Sequence, residues 1–255
     1  MPNFAANLSW MFLEWDFLDR FAAAADAGFT AVECLFPYEA SPDEIAHQLA
    51  QHNLRQVMFN LPPGDLAKGE RGLACLADRK DEFRDAVKTA LTYANALNAP
   101  RLHLMSGIGT GEEALAVYRD SIRLACEMAA RDRIDVLIEP INNRDVPGYL
   151  MNDFTLAEAL IADLDLPNLK LQLDIYHRQI IHGDVTRGLQ RLMPITGHIQ
   201  ISSAPDRNEP TTGELDDVRI LEIIDALNYP GFVGCEYRPR GSTLEGLGWL
   251  DRVRR

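Results

Sequence analysis

Four short apolar runs in the second half of the chain each carry one side chain that could bind a metal ion, at or near the end of the run. These side chains are Glu139 in DVLIEP, Asp174 in LKLQLDIYH, Gln200 in GHIQIS and Glu236 in GFVGCEY. Three carboxylates and one amide form an all-oxygen ligand set, which suits Mg²⁺ or Mn²⁺ better than Zn²⁺. Because buried carboxylates repel one another unless a cation joins them, their recurrence in four consecutive runs predicts a divalent-metal site.

Each of these residues alone also allows a structural interpretation. Glu139 could cap the loop that follows it, and Glu236 could form an ion pair with Arg238 or Arg240. Gln200 could be a core amide bonded to the backbone. The coincidence across four successive runs, rather than any single residue, favours the metal site.

Four further polar residues are candidates for binding a substrate. His177 stands three residues after Asp174, in the predicted loop beyond the sixth strand. The loop GDLAKGERG carries Lys68 and Arg71, and the loop APDRNEPTTG carries Arg207. Each cation could pair with an anionic group, and Arg207 is preferred because a guanidinium binds a carboxylate through two parallel hydrogen bonds. Solvated surface charge is the alternative for each of them.

These side chains would meet if strands and helices alternate around a barrel. Eight apolar runs are predicted as strands, at Phe4–Leu8, Thr30–Phe36, Gln56–Leu61, Arg101–Met105, Val136–Pro140, Leu169–Asp174, Gly197–Ser202 and Phe232–Tyr237. Most are continuously apolar, as expected of parallel strands covered on both faces. The C-terminal ends of such strands share one face, where barrel enzymes keep their active sites. We therefore predict an α/β fold, a single-domain (β/α)₈ TIM barrel over residues 1–255.

Helix signals fill the intervals between the predicted strands. Predicted helices cover Asp16–Ala27, Asp81–Leu97 and Glu113–Arg133, and another lies near Asp217–Leu227, after the long polar loop Ser203–Glu214. Capping boxes, in which Ser or Thr precedes Glu by three residues, are predicted to start helices at Ser41, Thr155 and Ser242.

Composition and charge exclude several classes of protein. The formal net charge of −13 argues against binding to a nucleic-acid backbone. No apolar stretch is long enough to span a bilayer, and the N-terminus lacks a secretion signal, so a cytoplasmic protein is expected. The four cysteines form no CxxC pair and are predicted to be free thiols rather than disulfides. Neither GxGxxG after a strand nor GxxxxGK[ST] occurs, so no nucleotide or flavin cofactor is predicted.

With these residues in place, the chain resembles the hydroxypyruvate isomerase family, within the xylose-isomerase-like TIM-barrel superfamily, almost from end to end. The resemblance is carried by FAANLSWMF, GFTAVECLFPYE, NLPPGDLAKGERGLACL, LIEPIN, LDIYH, GHIQISSAPDRNEPTTGEL and GCEYRPRGSTLEGLGWL. It implies that one divalent metal is bound by the four residues at the strand ends, namely Glu139, Asp174, Gln200 and Glu236. It also implies that Glu139 and Glu236 are the paired acid/base catalysts, relaying a proton between adjacent carbons of a small anionic substrate.

Two substrates are consistent with this resemblance. The segment LIEPINNRDVPG is similar to the branch that interconverts hydroxypyruvate and tartronate semialdehyde, whereas LNAPRLHLMSG and RPRGSTLEGLGW are similar to the branch acting on the four-carbon 2-oxo-tetronate. A ketose 3-epimerase, or a related sugar epimerase or dehydratase on the same fold, is the alternative. Related epimerases are expected to carry His where this chain has Gln200, which favours the isomerases. The sequence leaves assembly into a homo-oligomer open.

Overall fold

The computed structural model describes residues 1–253, and its eight strands close into one parallel barrel. The strands are β1 (Asn3–Asn7), β2 (Ala31–Cys34), β3 (Arg55–Asn60), β4 (Arg101–His103), β5 (Asp135–Ile138), β6 (Leu169–Asp174), β7 (Thr196–Ile201) and β8 (Phe232–Cys235). Each strand pairs with the next in sequence, and β8 pairs with β1 to close the barrel. The predicted single-domain (β/α)₈ fold is confirmed.

Helices follow the strands and cover the outside of the barrel. They are α1 (Asp19–Asp26), α2 (Pro42–Gln51), α3 (Lys80–Leu97), α4 (Gly111–Ala130), α5 (Phe154–Leu164), α6 (Ile175–His182), α7 (Val185–Leu192), α8 (Asp217–Ala226), α9 (Thr243–Gly246) and α10 (Gly248–Val253). Within residues 1–253, no helix has both the length and the apolar character that crossing a bilayer requires. All four cysteines are buried free thiols, as predicted.

The barrel interior has an apolar floor and a polar upper layer. The floor is a cluster of small and medium side chains, Ala5, Ala31, Val57, Met58 and Leu137. Because side chains alternate along a strand, Glu139 lies on the same side as Leu137 but nearer the C-terminal end. On the neighbouring strands β6 and β7, Asp174 is the Cα partner of Gln200, so these two polar residues lie at the same level of the barrel. The sheet therefore collects its polar inward-facing side chains at one end.

The helix starts confirm part of the capping predictions. Ser41 and Glu44 form the complete capping box at α2. At α9 the Ser242 hydroxyl accepts the Glu245 N–H, which is one half of a box. The box predicted at Thr155 is wrong.

The residue that caps α5 is Asp153, two positions earlier. Its carboxylate accepts the N–H groups of Thr155 and Leu156, at 2.6 and 2.9 Å. Asp is among the best N-cap residues and it precedes Thr155 along the chain, so the helix begins before the threonine can act as the cap.

Helix α8 begins with a buried carboxylate whose ionisation should make stability depend on pH. One oxygen of Asp217 accepts the Thr211 N–H at 2.6 Å, and the other has no hydrogen-bond partner in the described part of the chain. Burial is the main reason that the pKa of Asp217 rises from 3.8 to about 6. The charged form is therefore disfavoured in the folded protein, and its destabilising effect is absent below pH 4 and complete above pH 6.

Asp217→Asn removes this titration. The difference in unfolding free energy between the variant and the wild type should move in favour of the variant by about 2 kcal/mol between pH 4 and pH 7. Urea unfolding at both pH values measures it, with the exposed Asp251→Asn as the control that should show no such change. A pH-independent difference for Asp217→Asn would contradict the assignment.

Candidate active site

A cavity of about 480 Å³ opens at the C-terminal ends of the strands and contains most of the predicted functional residues. Glu139 and Glu236 line it, each one residue beyond the end of its strand, β5 and β8. Asp174 is the last residue of β6, and Gln200 lies inside β7. All four side chains are buried. The structure thus brings the four predicted metal ligands to the same end of the barrel.

Asp174 has two roles that its two oxygens divide between them. Oδ1 accepts the Tyr176 N–H at 2.8 Å and so caps α6. Oδ2 lies 3.2 Å from Arg207 Nη2 on the cavity side. Because this cap starts α6 directly after β6, His177 lies in the first turn of a helix. The prediction from the sequence, which placed His177 in a loop, is wrong. The helix still points His177 at the cavity, which it lines.

Arg207 is the cation that contacts the carboxylates. Its Nη2 lies 2.9 Å from Glu236 Oε1 as well as 3.2 Å from Asp174 Oδ2. The guanidinium also lies over the rings of Trp10 and Tyr176, at 5.0 and 4.9 Å from their centroids. Aromatic faces attract a guanidinium, so the two rings hold Arg207 in place above the acids. The Nη2 group of Arg207 therefore already hydrogen-bonds to two of the protein's own carboxylates.

The carboxylates disfavour one another's ionisation. Burial, followed by the charges of Glu236 and Asp174, raises the pKa of Glu139 well above its usual value. Burial also raises the pKa of Glu236, to about 8, although the Arg207 charge opposes this shift. One guanidinium does not neutralise three clustered acids. A divalent cation bound among these acids would therefore be electrostatically favourable.

One group of side chains has ligand atoms close enough together to share an ion. Glu139, Asp174 and His177 offer atoms that all lie within 4.8 Å of one another. His177 Nε2 is 3.6 Å from Asp174 Oδ2 and 3.9 Å from Glu139 Oε1. These residues could hold a metal, and the two carboxylates among them are also predicted ligands.

The hydrogen bonds of Asn142 decide which nitrogen of His177 carries the proton. Asn142 Oδ1 accepts the N–H groups of Arg144 and Asp145, at 3.0 and 2.9 Å, so its Nδ2 must face His177. Both that Nδ2 and the Asn142 backbone N–H point at His177 Nδ1, at 2.7 and 3.3 Å. Nδ1 is thus an acceptor, and the neutral ring carries its proton on Nε2, toward the cavity. A donating Nε2 suits a substrate oxygen better than a metal ion, since metal-bound histidines usually donate from the other nitrogen.

Beneath the carboxylates, amide side chains connect Glu139 to a second acid. Gln172 Nε2 lies 3.1 Å from Glu139 Oε2 and 2.6 Å from Gln200 Oε1. Gln200 Nε2 in turn donates to Glu33 Oε1 at 2.8 Å. Gln200 is therefore fixed at both ends of its amide. Glu33 and Gln172 were not predicted as site residues from the sequence. A signal existed for each, because Glu33 is a lone acid in the strand AVEC, and Gln172 shares the inward face with Asp174, two residues later.

Glu33 anchors this amide layer. It is completely buried and accepts three hydrogen bonds, from Asn7 at 2.9 Å, His198 at 2.6 Å and Gln200 at 2.8 Å. Gly234 on β8 leaves space for it, because a Cβ there would overlap the Glu33 carboxylate. Every donor around Glu33 is itself buried, so the acid supplies their hydrogen-bond acceptor.

We expect Glu33→Gln to lower the unfolding free energy by about 1–3 kcal/mol, because a charged double acceptor becomes a neutral group with one acceptor and one donor. Denaturant unfolding of the wild type and the variant measures this loss. The exposed Glu39→Gln serves as the control and should be near neutral. Equal stability of all three proteins would show that the acid does not support the layer.

The cationic loop residues separate into two groups. Lys68 has a side chain that is 79% exposed and pairs with Asp65 at 3.0 Å, so the structure does not bring it to the cavity. Arg71 does line the cavity, and so does Arg238. Glu236 forms an ion pair with Arg207. The alternative drawn from the sequence, an ion pair of Glu236 with Arg238 or Arg240, is therefore wrong about the partner residue.

Arg238 lines the cavity and was not predicted as a site residue from the sequence. Its guanidinium lies 4.7 Å from the centroid of the Trp10 ring, and it forms no ion pair within residues 1–253. Its backbone N–H donates to the Arg207 carbonyl at 2.8 Å, which ties the loops after β7 and β8 together.

Comparison with known proteins gives the family. Residues 21–253 match the family model described as xylose isomerase-like TIM barrel. The chain is 47% identical over 254 residues to 2-oxo-tetronate isomerase from Cupriavidus necator, with 98% of each chain covered. It is 42% identical over 258 residues to hydroxypyruvate isomerase from Escherichia coli, with 100% of each covered. A crystal structure from Brucella melitensis, described as AP endonuclease, family 2, is 47% identical with a TM-score of 0.96 and 99% of each chain covered.

High identity over the whole length, to proteins that share one fold, is the basis for the assignment. The predicted family is confirmed: the chain belongs to the xylose isomerase-like TIM-barrel family and, within it, to the hydroxypyruvate isomerases and 2-oxo-tetronate isomerases.

Proposed function

We propose that the chain isomerises a short 2-oxo acid, either hydroxypyruvate to tartronate semialdehyde or the four-carbon 2-oxo-tetronate, by moving a proton between adjacent carbons. The observation that carries this proposal is the pair of buried glutamates, Glu139 and Glu236, facing one cavity of about 480 Å³ from β5 and β8. The names of the Cupriavidus necator and Escherichia coli relatives support both substrates.

The glutamates would act as the acid/base pair. Burial raises the pKa of both glutamates, so each can hold a proton near neutral pH, and a bound divalent cation would favour the ionised form of one of them. The ionised carboxylate removes a proton from one carbon, and the pair returns it to the neighbouring carbon. The hydroxyl proton passes to the former carbonyl oxygen, so that the hydroxyl and the carbonyl exchange places. His177, with its proton on Nε2, would donate a hydrogen bond to a substrate oxygen at the cavity wall.

Cations at the mouth would receive the substrate carboxylate. Three arginines line the cavity, Arg71, Arg207 and Arg238. Arg207 already shares its Nη2 with Asp174 and Glu236. We infer that Arg71 and Arg238, which form no ion pair among residues 1–253, bind the substrate carboxylate, while Arg207 orients the catalytic acids.

The donor set also fits a divalent metal ion, because within residues 1–253 three buried carboxylates face a single contacting guanidinium. Glu139, Asp174 and Glu236 would hold it, and Gln200 would be a neutral fourth ligand through the second lone pair of Oε1, whose first accepts from Gln172. Oxygen donors favour Mg²⁺ or Mn²⁺. When bound, such an ion would polarise the substrate carbonyl as a Lewis acid.

Nucleic-acid chemistry is the other activity that a relative's name raises, since the Brucella melitensis protein is described as an endonuclease. The net charge of −13 opposes the approach of a phosphate backbone. The metal-capable cluster found in residues 1–253 contains one histidine and two acids. The net negative charge and the single histidine of this cluster therefore favour a small anionic substrate over a nucleic acid.

A substrate panel tests the proposal. The purified protein, with Mg²⁺ or Mn²⁺, is incubated with hydroxypyruvate, 2-oxo-tetronate or free ketoses in D₂O, and the products are followed by proton NMR. We expect turnover of one or both 2-oxo acids. A double Glu139→Gln, Glu236→Gln variant, purified identically, controls for contaminating isomerases. Turnover of ketoses alone, or equal rates in the double variant, would overturn the proposal.

A further inference from the structure

A second cavity, of about 590 Å³, opens at the N-terminal end of the barrel. Its walls include the first residues of three strands, Arg55 of β3, Arg101 of β4 and Phe232 of β8, together with the C-terminal ends of α2 and α3. The active-site cavity lies at the opposite end of the same strands, and the apolar floor of the barrel separates the two. The proposed isomerase function does not use this cavity.

The charge of the lining is opposite to that of the protein. Among the residues that the structure describes, two arginines line the cavity and no Asp or Glu does, although the chain carries a net charge of −13. Arg55 and Arg101 form no ion pair within residues 1–253, whereas other arginines pair with acids, as Arg79 does with Glu70. The lining thus concentrates positive charge where the rest of the surface is acidic.

Arg101 has unused hydrogen-bonding capacity. Its Nε is buried and has no partner in the described structure. Asp135 is its Cα partner on the neighbouring strand, but the two side chains form no ion pair, and Asp135 does not line the cavity. A buried guanidinium nitrogen without a partner is unfavourable, so an acceptor supplied from the cavity would stabilise it.

The remaining walls indicate the character of a ligand. Asn53 and Asn98 add polar residues to the lining beside the arginines, whereas the amide of Gln56, which also lines the cavity, already donates to Met58 O at 2.8 Å. Apolar residues, among them Leu54 and Phe232, also line the cavity. A concave site with a few polar groups on an apolar wall is the usual form of a small-molecule site.

We propose that this cavity is a second binding site, for a small organic anion whose carboxylate or phosphate lies between Arg55 and Arg101 and whose apolar part lies against Leu54 and Phe232. The guanidinium fork matches both kinds of anion. The site is distinct from the catalytic cavity, so occupancy of one does not require occupancy of the other.

Titration with two probes tests the site. Hexanoate and inorganic phosphate are titrated into the full chain by isothermal calorimetry at constant ionic strength, with chloride as the balancing anion. We expect saturable binding by the wild type, and a dissociation constant that rises about tenfold or more in Arg55→Gln and in Arg101→Gln. The exposed Arg84→Gln, outside the cavity, is the matched control and should bind as the wild type does.

Activity separates this site from the catalytic one. Arg55→Gln should isomerise substrate at the wild-type rate while losing the anion, and because Arg55 is exposed, this variant remains informative if Arg101→Gln does not fold. Soaking crystals with 6-bromohexanoate should place the anomalous bromine signal in the N-terminal cavity. Binding that survives both substitutions, bromine at Glu139 and Glu236 alone, or no saturable binding of either probe would overturn the proposal.

Discussion

Glu139→Gln and Glu236→Gln should each lower kcat by about 10²-fold or more, the usual effect of losing a general acid or base. Glutamine keeps nearly the same shape, and its amide oxygen can still contact a metal ion, but it cannot carry a proton between carbons. Both glutamates face the same cavity and are buried, so water does not readily replace either as the proton carrier. Steady-state rates on the substrate identified by the panel measure the loss.

The measurement must distinguish lost chemistry from lost metal. Bound Mg²⁺ or Mn²⁺ is therefore quantified alongside turnover for each variant. Glu209→Gln provides the matched control, because Glu209 is a buried glutamate near the mouth that pairs with Arg240 and does not line the cavity. It should keep a near wild-type kcat. A Glu236→Gln enzyme with full metal content and near-normal kcat would show that Glu236 is only a ligand, and the two-carboxylate mechanism would fail.

The sequence was sufficient to predict the strand ends because they carry a local signal. Leu169–Asp174 was predicted with its observed bounds, and the other strands differ by one or two residues at their ends. The apolar run is the strand, and the first polar residue at its C-terminal end marks the mouth of the barrel. This rule places Glu139 and Asp174 without any knowledge of the contacts between strands.

The contacts between these residues were beyond the sequence, because they join distant positions through the shape of loops. Arg207 was predicted to bind a substrate carboxylate, but the loop after β7 brings it to Asp174 and Glu236, about 30 residues away on either side. Lys68 was predicted beside Arg71, yet a short turn directs it to Asp65 and solvent. Charge alone predicts that a cation meets an anion, and only the fold decides which one.

Glu33 shows a different reason for a missed residue. Its strand gives no repeated pattern, and an isolated acid in AVEC resembles a residue at a strand edge. The structure buries it completely because His198, Gln200 and Asn7 all converge on it from other strands. A buried acid is tolerated only when donors surround it, and those donors come from distant parts of the sequence.

Arg207 should contribute strongly to the stability of the metal-free protein. Its guanidinium is mostly buried, with a side chain 12% exposed, and it contacts both Asp174 and Glu236. Removing one partner of a buried ion pair leaves the other charges unpaired. In EDTA, Arg207→Met should therefore lower the unfolding free energy by about 3 kcal/mol at pH 9, above the Glu236 pKa of about 8.

The loss of unfolding free energy in Arg207→Met should be larger at high pH and smaller when a metal ion is bound. Without Arg207 the folded-state pKa values of the carboxylates rise further, so the destabilisation is complete at high pH and shrinks as acid protonates them. Saturating Mg²⁺ or Mn²⁺ should also reduce it, because a bound cation takes over the neutralisation of the same acids and binds only the folded state. Denaturant unfolding at pH 5 and pH 9, with EDTA or with metal, measures each effect.

Arg238→Met is the matched control for this experiment. Arg238 also lies over Trp10, at 4.7 Å from the ring centroid, but it forms no ion pair within residues 1–253. Its loss should therefore cost less than about 1 kcal/mol, the scale of an exposed cation–π contact, and should not respond to metal. If Arg207→Met in EDTA proved as stable as Arg238→Met, the carboxylates would be neutralised by their own protonation. Arg207 would then be free to bind the substrate, as the sequence first suggested.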